Sequence, residues 1–152
     1  MRPIGVNDLI QTAKKADSAV LAGLALQLWP ENTVSGLKDE FEKLAEDADS
    51  VCFIKYADDR PVGFAQCQLR RDYVEGTEAS PVGYLEGIFV PEAYRHRGYA
   101  KELLRYCEAW ARQKQCSEFA SDCAIGNDES LRFHLAAGFE EANRIICFKK
   151  RI

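Results

Sequence analysis

The sequence has no apolar run that approaches the roughly 20 residues needed to span a bilayer. The first seven residues, MRPIGVN, lack the apolar stretch of a secretory signal. An excess of basic residues is missing as well, since 20 Lys and Arg stand against 24 Asp and Glu and give a formal charge of −4. We therefore expect a cytoplasmic protein with no membrane or nucleic-acid partner, and the acidic balance is compatible with a cationic substrate.

Closely spaced cysteines are also missing. The six cysteines are at least seven positions apart, so no CxxC pair exists, and most of them lie inside apolar stretches. We expect them to be small core residues in a reducing compartment. The sequence therefore predicts no metal site and no disulfide framework.

Two common phosphate-binding signatures do not occur, the Walker sequence and the dinucleotide fingerprint. The chain has instead YRHRGYAKELL over 94–104, in which two arginines and a glycine directly precede a helical pattern. The first turn of a helix leaves backbone N–H groups without partners and carries partial positive charge. Gly98 lets a phosphate approach the backbone closely, and Arg95 and Arg97 add charge. These residues predict an anion site, although solvated loop charges are an equally open interpretation of the local spacing.

The 152 residues, 47% of them apolar and 29% charged, have the size and composition of one soluble domain. Apolar periodicity and turn residues predict the order β-α-α-β-β-β-α-β-α-β. The predicted strands cover 8–13, 50–57, 62–69, 83–90, 119–123 and 145–148, and the predicted helices cover 17–29, 37–48, 100–114 and 130–137. This alternation indicates an α/β sandwich with mixed strand directions.

Two motifs carry a resemblance to a known superfamily. The pattern RxxGxA from Arg95, between the strand LEGIFV and a long helix, resembles motif A of the GNAT acetyltransferases. The pattern NxxSxxxHxxxGF from Asn127 resembles their motif B. The resemblance implies a GNAT fold over residues 1–152, which is a single α/β domain with a central mixed, largely antiparallel β-sheet flanked by about four helices.

The resemblance also implies acetyl-CoA as co-substrate, without a metal. Backbone amides of the turn after the strand would hold its pyrophosphate, and the pantetheine arm would pair like an extra strand along residues 88–90. The residues implied in cofactor binding are Ile88, Phe89, Val90, Arg95, His96, Arg97, Gly98, Tyr99, Ala100 and Asn127.

Four shorter stretches narrow the resemblance. They are LWP at 28–30, RDYVEG at 71–76, SPV at 80–82 and ASD at 120–122. Together they resemble the aminoglycoside 6′-N-acetyltransferases from about Ile10 to the C-terminus, with about residues 1–9 as an N-terminal extension. The resemblance implies acetylation of a primary amine of a polycationic aminoglycoside antibiotic, and hence resistance. It also implies a homodimer, for which the apolar segment 145–148 is a candidate interface.

The same pattern implies which side chains line the drug pocket. They are Trp29, Asn32, Tyr73, Glu86, Asp122 and Asn143. Asn32 and Asn143 are departures, because relatives commonly carry His and Glu there, and the loss of an acid weakens attraction for an ammonium group. Glu86 stands out on physical grounds too, since a carboxylate inside an apolar strand is costly unless it has a partner or faces a cleft. Trp29 has an alternative role as a core anchor at a helix end.

The acetyl transfer implied by the resemblance requires a group that removes a proton from the amine. An amine attacks a thioester only when it is neutral, whereas aminoglycoside amines are largely protonated near pH 7. A carboxylate, or a water that it holds, can take the proton away, and we expect Asp122 to do so first and Glu86 second. A backbone N–H near residues 88–90 is expected to hold the oxyanion. His134 stands where the superfamily often has a Tyr thought to protonate the departing thiolate, and packing near the cofactor is its alternative role.

Two other functions stay open from the sequence. An enzyme of the same fold can acetylate a polyamine, a peptide N-terminus or a small metabolite amine, and acidic pockets suit several of these. A degenerate domain that binds CoA or a partner protein without catalysis is the other, and the intact motif A together with Glu86 and Asp122 argues against it.

Overall fold

The structure, a computed structural model, describes residues 9–152. Its strands and helices are β1 (Leu9–Thr12), α1 (Ser18–Leu28), α2 (Val34–Ala45), β2 (Ser50–Ala57), β3 (Arg60–Arg70), β4 (Val82–Phe89), α3 (Tyr99–Gln113), β5 (Phe119–Ser121) and α4 (Asp128–Ala136). Short 3₁₀ turns precede α1 and α3. Within residues 9–152, every helix is too short or too polar to span a lipid bilayer.

Local chemistry accounts for the boundaries of several elements. Pro30 lies just beyond the end of α1, as expected for a residue that cannot continue a helix. The Thr33 side chain caps α2 by accepting a hydrogen bond from the Gly36 backbone N–H at 3.0 Å. Asp58 and Asp59 have φ angles of 50° and 61°, the left-handed values that favour a two-residue hairpin turn between β2 and β3.

The five strands lie in the order β1-β2-β3-β4-β5. Neighbouring strands are antiparallel except β4 and β5, which are parallel. Successive residues of β2 face opposite sides of the sheet, so that Ile54 packs with α1 and α2 while Phe53 packs with α3. This arrangement confirms the predicted mixed, largely antiparallel sheet flanked by four helices.

The pairing of β4 with β3 contains an irregularity. Cys67 of β3 lies opposite Leu85, but the preceding β3 residue, Gln66, lies opposite Gly87. Glu86 is therefore an extra residue in β4, a β-bulge of the kind often found next to active sites. The pairing of β5 with β4 stops at Leu85. The outer edge of β4 from Glu86 onward thus has no strand partner within the described sheet.

Two sequence expectations concern the ends of the chain. The predicted strand over 145–148 is wrong, since the structure has no strand there, and Ile146 and Phe148 are 77% and 90% exposed. The residue types favour a strand, but a strand requires a neighbour for its backbone hydrogen bonds, and none of the described strands pairs with this segment. The extension predicted for about residues 1–9 lies outside the described residues, except Leu9, which begins β1.

Candidate active site

A cavity of about 210 Å³ lies where the end of α1, the second half of β4, the end of β5 and the start of α4 meet. It is lined by Leu28, Trp29, Leu85, Glu86, Gly87, Ile88, Ser121, Asp122, Cys123, Ala124, Asn127, Ser130 and His134. The fold thus brings together several residues that the sequence singled out, namely Trp29, Glu86, Ile88, Asp122, Asn127 and His134.

Glu86, the bulged residue of β4, has a basic partner. Its two carboxylate oxygens accept hydrogen bonds from Arg70 Nε at 3.0 Å and Arg70 Nη2 at 2.9 Å. The Arg70 guanidinium also stacks on the Tyr84 ring, 3.4 Å from the ring centroid. A bidentate pair of this kind is a strong, geometrically defined interaction. It explains how a carboxylate is tolerated in an apolar strand, and it holds Glu86 in a fixed orientation at the cavity wall.

Asp122, just after β5, is held by a phenol. Tyr84 Oη donates a short hydrogen bond to Asp122 Oδ2. Burial and this hydrogen bond raise the pKa of Tyr84, so the phenol stays protonated and remains a donor at neutral pH. Because Arg70 stacks on the same ring, Arg70, Tyr84, Glu86 and Asp122 form one connected group, here called the acid wall. The sequence pointed to the two carboxylates of the acid wall but not to Arg70 or Tyr84.

His134 of α4 faces β5 across the cavity. Its Nδ1 lies 2.7 Å from the Ser130 carbonyl oxygen, and its Nε2 lies 2.8 Å from Ser121 Oγ. The ring of Phe139 lies 5.1 Å from the imidazole, centroid to centroid. Sequence analysis gave no role to Ser121, although it stands inside the ASD stretch next to Asp122. Its position beside a histidine appears only when β5 and α4 are packed together.

Trp29 packs against the core and also borders the cavity. Its indole packs edge-on against Phe64 of the core, with ring centroids 6.1 Å apart at an angle of 70°. The same ring lies over Gly87, where even a methyl group would collide with it. Trp29 is therefore a core anchor and also one wall of the cavity.

The predicted anion turn has an unusual backbone. His96 and Gly98 have φ angles of 62° and 81°, both left-handed. Gly98 is the N-cap of α3 and has no side chain to cap the first backbone N–H groups of the helix, which begins at Tyr99. A turn that ends on an uncapped helix N-terminus suits an anionic group.

The two arginines of the turn have structural contacts. Arg95 Nε donates to the Val90 carbonyl oxygen at 2.7 Å and so ties the turn to the end of β4. Arg95 Nη1 also lies 3.2 Å from Glu129 of α4. Arg97 stacks near the Tyr94 ring, 5.5 Å from its centroid. The positive charge is thus fixed next to the helix start, and Arg95 links β4, the turn and α4.

Asn127 likewise has a local structural task. Its side-chain Oδ1 accepts a hydrogen bond from the Ser130 backbone N–H at 3.2 Å, which caps α4. The cap sets the first turn of the helix that carries His134. Asn127 therefore contributes to the cavity by shaping its wall.

Three residues predicted to line the drug pocket lie away from the cavity lining. Tyr73 is 79% exposed, and its hydroxyl donates to Glu75 at 3.3 Å. Asn143 Nδ2 donates to the other oxygen of the same carboxylate at 2.9 Å. Asn32 bonds the Trp29 carbonyl oxygen at 3.2 Å. Sequence reasoning missed Glu75, which joins the 71–81 loop to the C-terminal segment.

A buried lysine contacts the first turn of α3, the helix that begins at the anion turn. The sequence analysis did not single this lysine out. Lys55 of β2 is only 5% exposed, and its Nζ lies 2.8 Å from Glu102 in the first turn of α3. The same Nζ lies 4.8 Å from the centroid of the Tyr99 ring. The signal was a lone charge inside the apolar strand VCFIKYA. This pair anchors the N-terminus of α3 to the sheet.

The cysteines are free thiols, of which Cys52, Cys67, Cys107 and Cys116 are buried and Cys123 and Cys147 are exposed. Within residues 9–152, no three His, Cys, Asp or Glu side chains are grouped so that they could hold a metal ion. Cys123 lies on the cavity lining beside Asp122.

Known proteins that are similar to this chain include aminoglycoside acetyltransferases. The chain is 38% identical over 143 residues to an aminoglycoside N(6′)-acetyltransferase type 1 of Acinetobacter haemolyticus, covering 94% of this chain and 98% of that protein. A solved structure of the aminoglycoside N-acetyltransferase AAC(6′)-Iy in complex with CoA is 38% identical, covers 100% of both chains and superposes with a TM-score of 0.94. A second structure of AAC(6′)-Iy holds the bisubstrate analog CoA-S-monomethyl-acetylneamine, with 38% identity, 95% and 98% coverage and a TM-score of 0.91.

The family model for the acetyltransferase (GNAT) family matches residues 21–139. The match spans both the turn before α3 and the capped start of α4, the two places where the sequence patterns had been recognised. Fold, motifs and relatives agree, and the chain belongs to the acetyltransferase (GNAT) family.

Proposed function

We propose that this protein is an aminoglycoside 6′-N-acetyltransferase, which transfers the acetyl group of acetyl-CoA to a primary amine of an aminoglycoside antibiotic and so confers resistance. The observation that carries the proposal is the cavity itself. It combines two oriented carboxylates with a segment of β4 that has no partner among the described strands, and it lies beside an uncapped helix N-terminus. Relatives named for this activity cover nearly the whole chain.

Acetyl-CoA fits the anionic end of the site. The pyrophosphate would be held by backbone N–H groups of the turn from Arg95 to Ala100, where Gly98 permits close approach. His96, Arg97 and Tyr99 complete this turn. The pantetheine amides would pair with the free outer edge of β4 along Ile88, Phe89 and Val90, as an added strand does. The thioester then lies at the cavity lined by Ile88, with Asn127 shaping the opposite wall.

The aminoglycoside fits the acidic end. Its ammonium groups would be drawn to Glu86 and Asp122, and a sugar ring would stack on Trp29. Tyr73 and Asn143, which both bond Glu75 on the 71–81 loop, would contact the drug further out. Asn32 belongs to this outer group through its position after Trp29.

The proton transfers of the reaction are assigned to the two carboxylates and to His134. Asp122 would take the proton that the ammonium must lose before attack, because its carboxylate lies at the cavity and no basic side chain among residues 9–152 forms an ion pair with it. Glu86 is the second choice, since both of its oxygens are held by Arg70. The oxyanion of the tetrahedral adduct would accept a backbone N–H of β4 near Ile88. His134 would supply a proton to the departing CoA thiolate.

An acceptor screen tests this function. Purified protein, acetyl-CoA and one amine at a time are assayed for release of free CoA thiol. Fast turnover with kanamycin or tobramycin is expected. Turnover only with polyamines, peptides or small amines would assign the protein to another acceptor class within the family. No turnover with any amine, together with CoA binding in calorimetry, would make it a non-catalytic CoA-binding module.

The assembly and location belong to the same proposal. We propose a homodimer in which the exposed segment with Ile145, Ile146 and Phe148 packs on a second copy, because such a continuous apolar stretch is unfavourable in water. Light scattering of the parent and of Phe148→Asp would test this, with a dimer expected only for the parent. A cytoplasmic location is proposed because the cysteines are unpaired thiols, as in reducing compartments.

A further inference from the structure

The hydrogen bonds of His134 define its protonation. A carbonyl oxygen can only accept, so the 2.7 Å contact with the Ser130 carbonyl places a proton on Nδ1. In the neutral imidazole the Nε2 atom is then an acceptor, and the Ser121 hydroxyl 2.8 Å away donates to it. The Leu85 carbonyl, 3.3 Å from Ser121 Oγ, is the alternative acceptor for that hydroxyl when His134 carries both protons. Both protonation states of His134 thus have complete hydrogen bonding.

This pair has the geometry of an activated hydroxyl. A hydroxyl in contact with a histidine that a third group orients is the arrangement used to move protons in acyl transfer. Ser121 and His134 both line the cavity, and Ser121 stands next to Asp122, whose carboxylate is expected to meet the ammonium. The other titratable groups on the lining are Glu86, Asp122 and Cys123, with Arg70 and Tyr84 behind the acids.

The chemistry needs a group that both accepts and donates. After the ammonium loses its first proton and the neutral amine attacks, the nitrogen of the tetrahedral adduct still carries a proton that must leave. The CoA thiolate needs a proton as the C–S bond breaks. Carboxylates held by Arg70 and Tyr84 suit the binding of a cation and the first deprotonation. Histidine is the side chain best suited to take up and return a proton near neutral pH.

We propose that Ser121 is a catalytic residue that relays this second proton between the adduct and His134. The amine nitrogen bonds to the acetyl carbon, and Ser121 Oγ accepts the proton from that nitrogen while passing its own proton to His134 Nε2. The C–S bond then breaks, the thiolate takes the Ser121 proton, and Nε2 returns its proton to Oγ. Nitrogen and sulfur are bonded to one carbon in the adduct, so a single hydroxyl reaches both. The net products are the amide and free CoA, Ser121 and His134 end as they began, and the first proton of the ammonium passes from Asp122 to solvent.

The relay rests on the proposed acetyltransferase function and is tested with acetyl-CoA and kanamycin, or with whichever amine the acceptor screen identifies. Ser121→Ala and His134→Gln are each expected to lower kcat by about 10²-fold or more, as for loss of general acid–base catalysis. The KM for acetyl-CoA should change little. The double variant should be no slower than the slower single variant, because the two residues act in one step. Ser121→Thr keeps a hydroxyl and should recover much of the rate.

Calorimetric binding of CoA identifies the variants that still fold. If Ser121→Ala does not bind CoA, the relay is tested with Ser121→Thr and His134→Gln instead. A merely structural role predicts that Thr is no better than Ala, or that the two single losses multiply in the double variant. Either result, or Ser121→Ala within about threefold of an active parent, overturns the relay alone. A parent that is inactive with every amine overturns the acetyltransferase function, and the relay with it.

Discussion

Gly87 lies directly against the Trp29 indole, such that a Cβ at position 87 would stand 2.7 Å from both Cη2 and Cζ2 of the ring. Real Cβ atoms do not approach other atoms so closely, so the ring has to move. Strand β4 and the end of α1 can therefore pack this closely only because position 87 has no side chain. This contact fixes the wall on which a sugar ring of the drug is proposed to stack.

Gly87→Ala should therefore weaken drug binding more than cofactor binding. Overpacking typically costs about 1–3 kcal/mol, and the indole would relieve it by tilting into the cavity. We expect the KM for the aminoglycoside to rise by about fivefold or more while the KM for acetyl-CoA stays close to that of the parent. Gly23→Ala is the matched control, because no atom of residues 9–152 lies within 4 Å of a Cβ there and alanine favours the α1 helix. Equal kinetics for the two variants would contradict the assignment of Trp29 to the drug pocket.

Much of the fold was predictable from the sequence because its signals are local. Strand alternation, the glycine ahead of α3 and the residues that bound helices act within a few positions, and each predicted helix was found within a few residues of its place. The segment 145–148 shows the limit. Its residue types favour a strand, but whether a strand forms depends on a partner edge that no local pattern encodes.

The candidate site was predictable in part for the same reason. The sequence pointed to the carboxylates of Glu86 and Asp122, but their partners come from other strands through the sheet register. Arg70 reaches Glu86 only because the bulge in β4 re-aims that residue. Ser121 meets His134 only because α4 packs over the end of β5. Pairings of this kind depend on tertiary structure and have no signature in spacing.

The Lys55–Glu102 pair should respond unequally to the removal of its two members. Lys55 is buried, whereas the Glu102 side chain is 41% exposed. Glu102→Gln leaves a buried charge without a counter-ion, and we expect a loss of about 3–5 kcal/mol in the free energy of unfolding. Lys55→Met should cost less, since Glu102 can turn toward water. Urea unfolding measures both, and acetyl-CoA affinity should fall with them because α3 begins at the anion turn.

The exposed pair of Lys38 and Glu42 supplies the control for that experiment. Its side chains are 48% and 31% exposed, and Lys38→Met should cost at most about 0.5 kcal/mol. A Glu102→Gln variant as stable as the Lys38→Met variant would show that the Lys55–Glu102 pair does not stabilise the fold.

Buried thiols should make the protein less stable in alkali. Burial raises the pKa of the Cys52 thiol from 9.0 to about 12. Since the folded pKa is above the unfolded one, the stabilising effect is complete below pH 9 and is lost as the pH rises toward 12. At pH 10 the loss is about 1 kcal/mol for this one thiol. Urea unfolding at pH 8 and pH 10 under reducing conditions should show a smaller decline for Cys52→Ala than for the parent. The exposed Cys147→Ser should decline like the parent, and a Cys52→Ala variant that does the same would refute the role of this thiol.

Gly98→Val should damage acetyl-CoA binding with only a moderate loss of stability. The position has a φ of 81°, and no atom of the described residues lies within 4 Å of a Cβ there, so the cost to the fold is backbone strain, about 1–2 kcal/mol. The valine side chain would occupy the approach to the first N–H groups of α3, and the KM for acetyl-CoA should rise strongly. Gly138→Val, at φ 96° and equally open, carries similar strain away from the turn. Unchanged CoA affinity of Gly98→Val in calorimetry would show that the pyrophosphate site is misplaced.

Asp122→Asn tests whether the acid wall takes part in chemistry or only in the fold. The change keeps the size of the side chain and its oxygen near Tyr84 Oη but removes the charge at the point where the ammonium is proposed to lose a proton. General-base contributions are typically about 10²–10⁴-fold, so kcat/KM for the aminoglycoside should fall by roughly that range. Affinity for CoA should barely change, because the proposed cofactor contacts lie on residues 88–100 and at Asn127.

The pH dependence of Asp122→Asn separates proton removal from simple attraction. At higher pH more of the drug amine is already neutral, so the variant should regain part of its rate relative to the parent. Tyr84→Phe is the companion variant, since it removes the hydrogen-bond donor but leaves the carboxylate charge, and it should lose much less activity than Asp122→Asn. An Asp122→Asn enzyme within about threefold of the parent at pH 7 would remove Asp122 from the mechanism and pass its role to Glu86 or to bulk water.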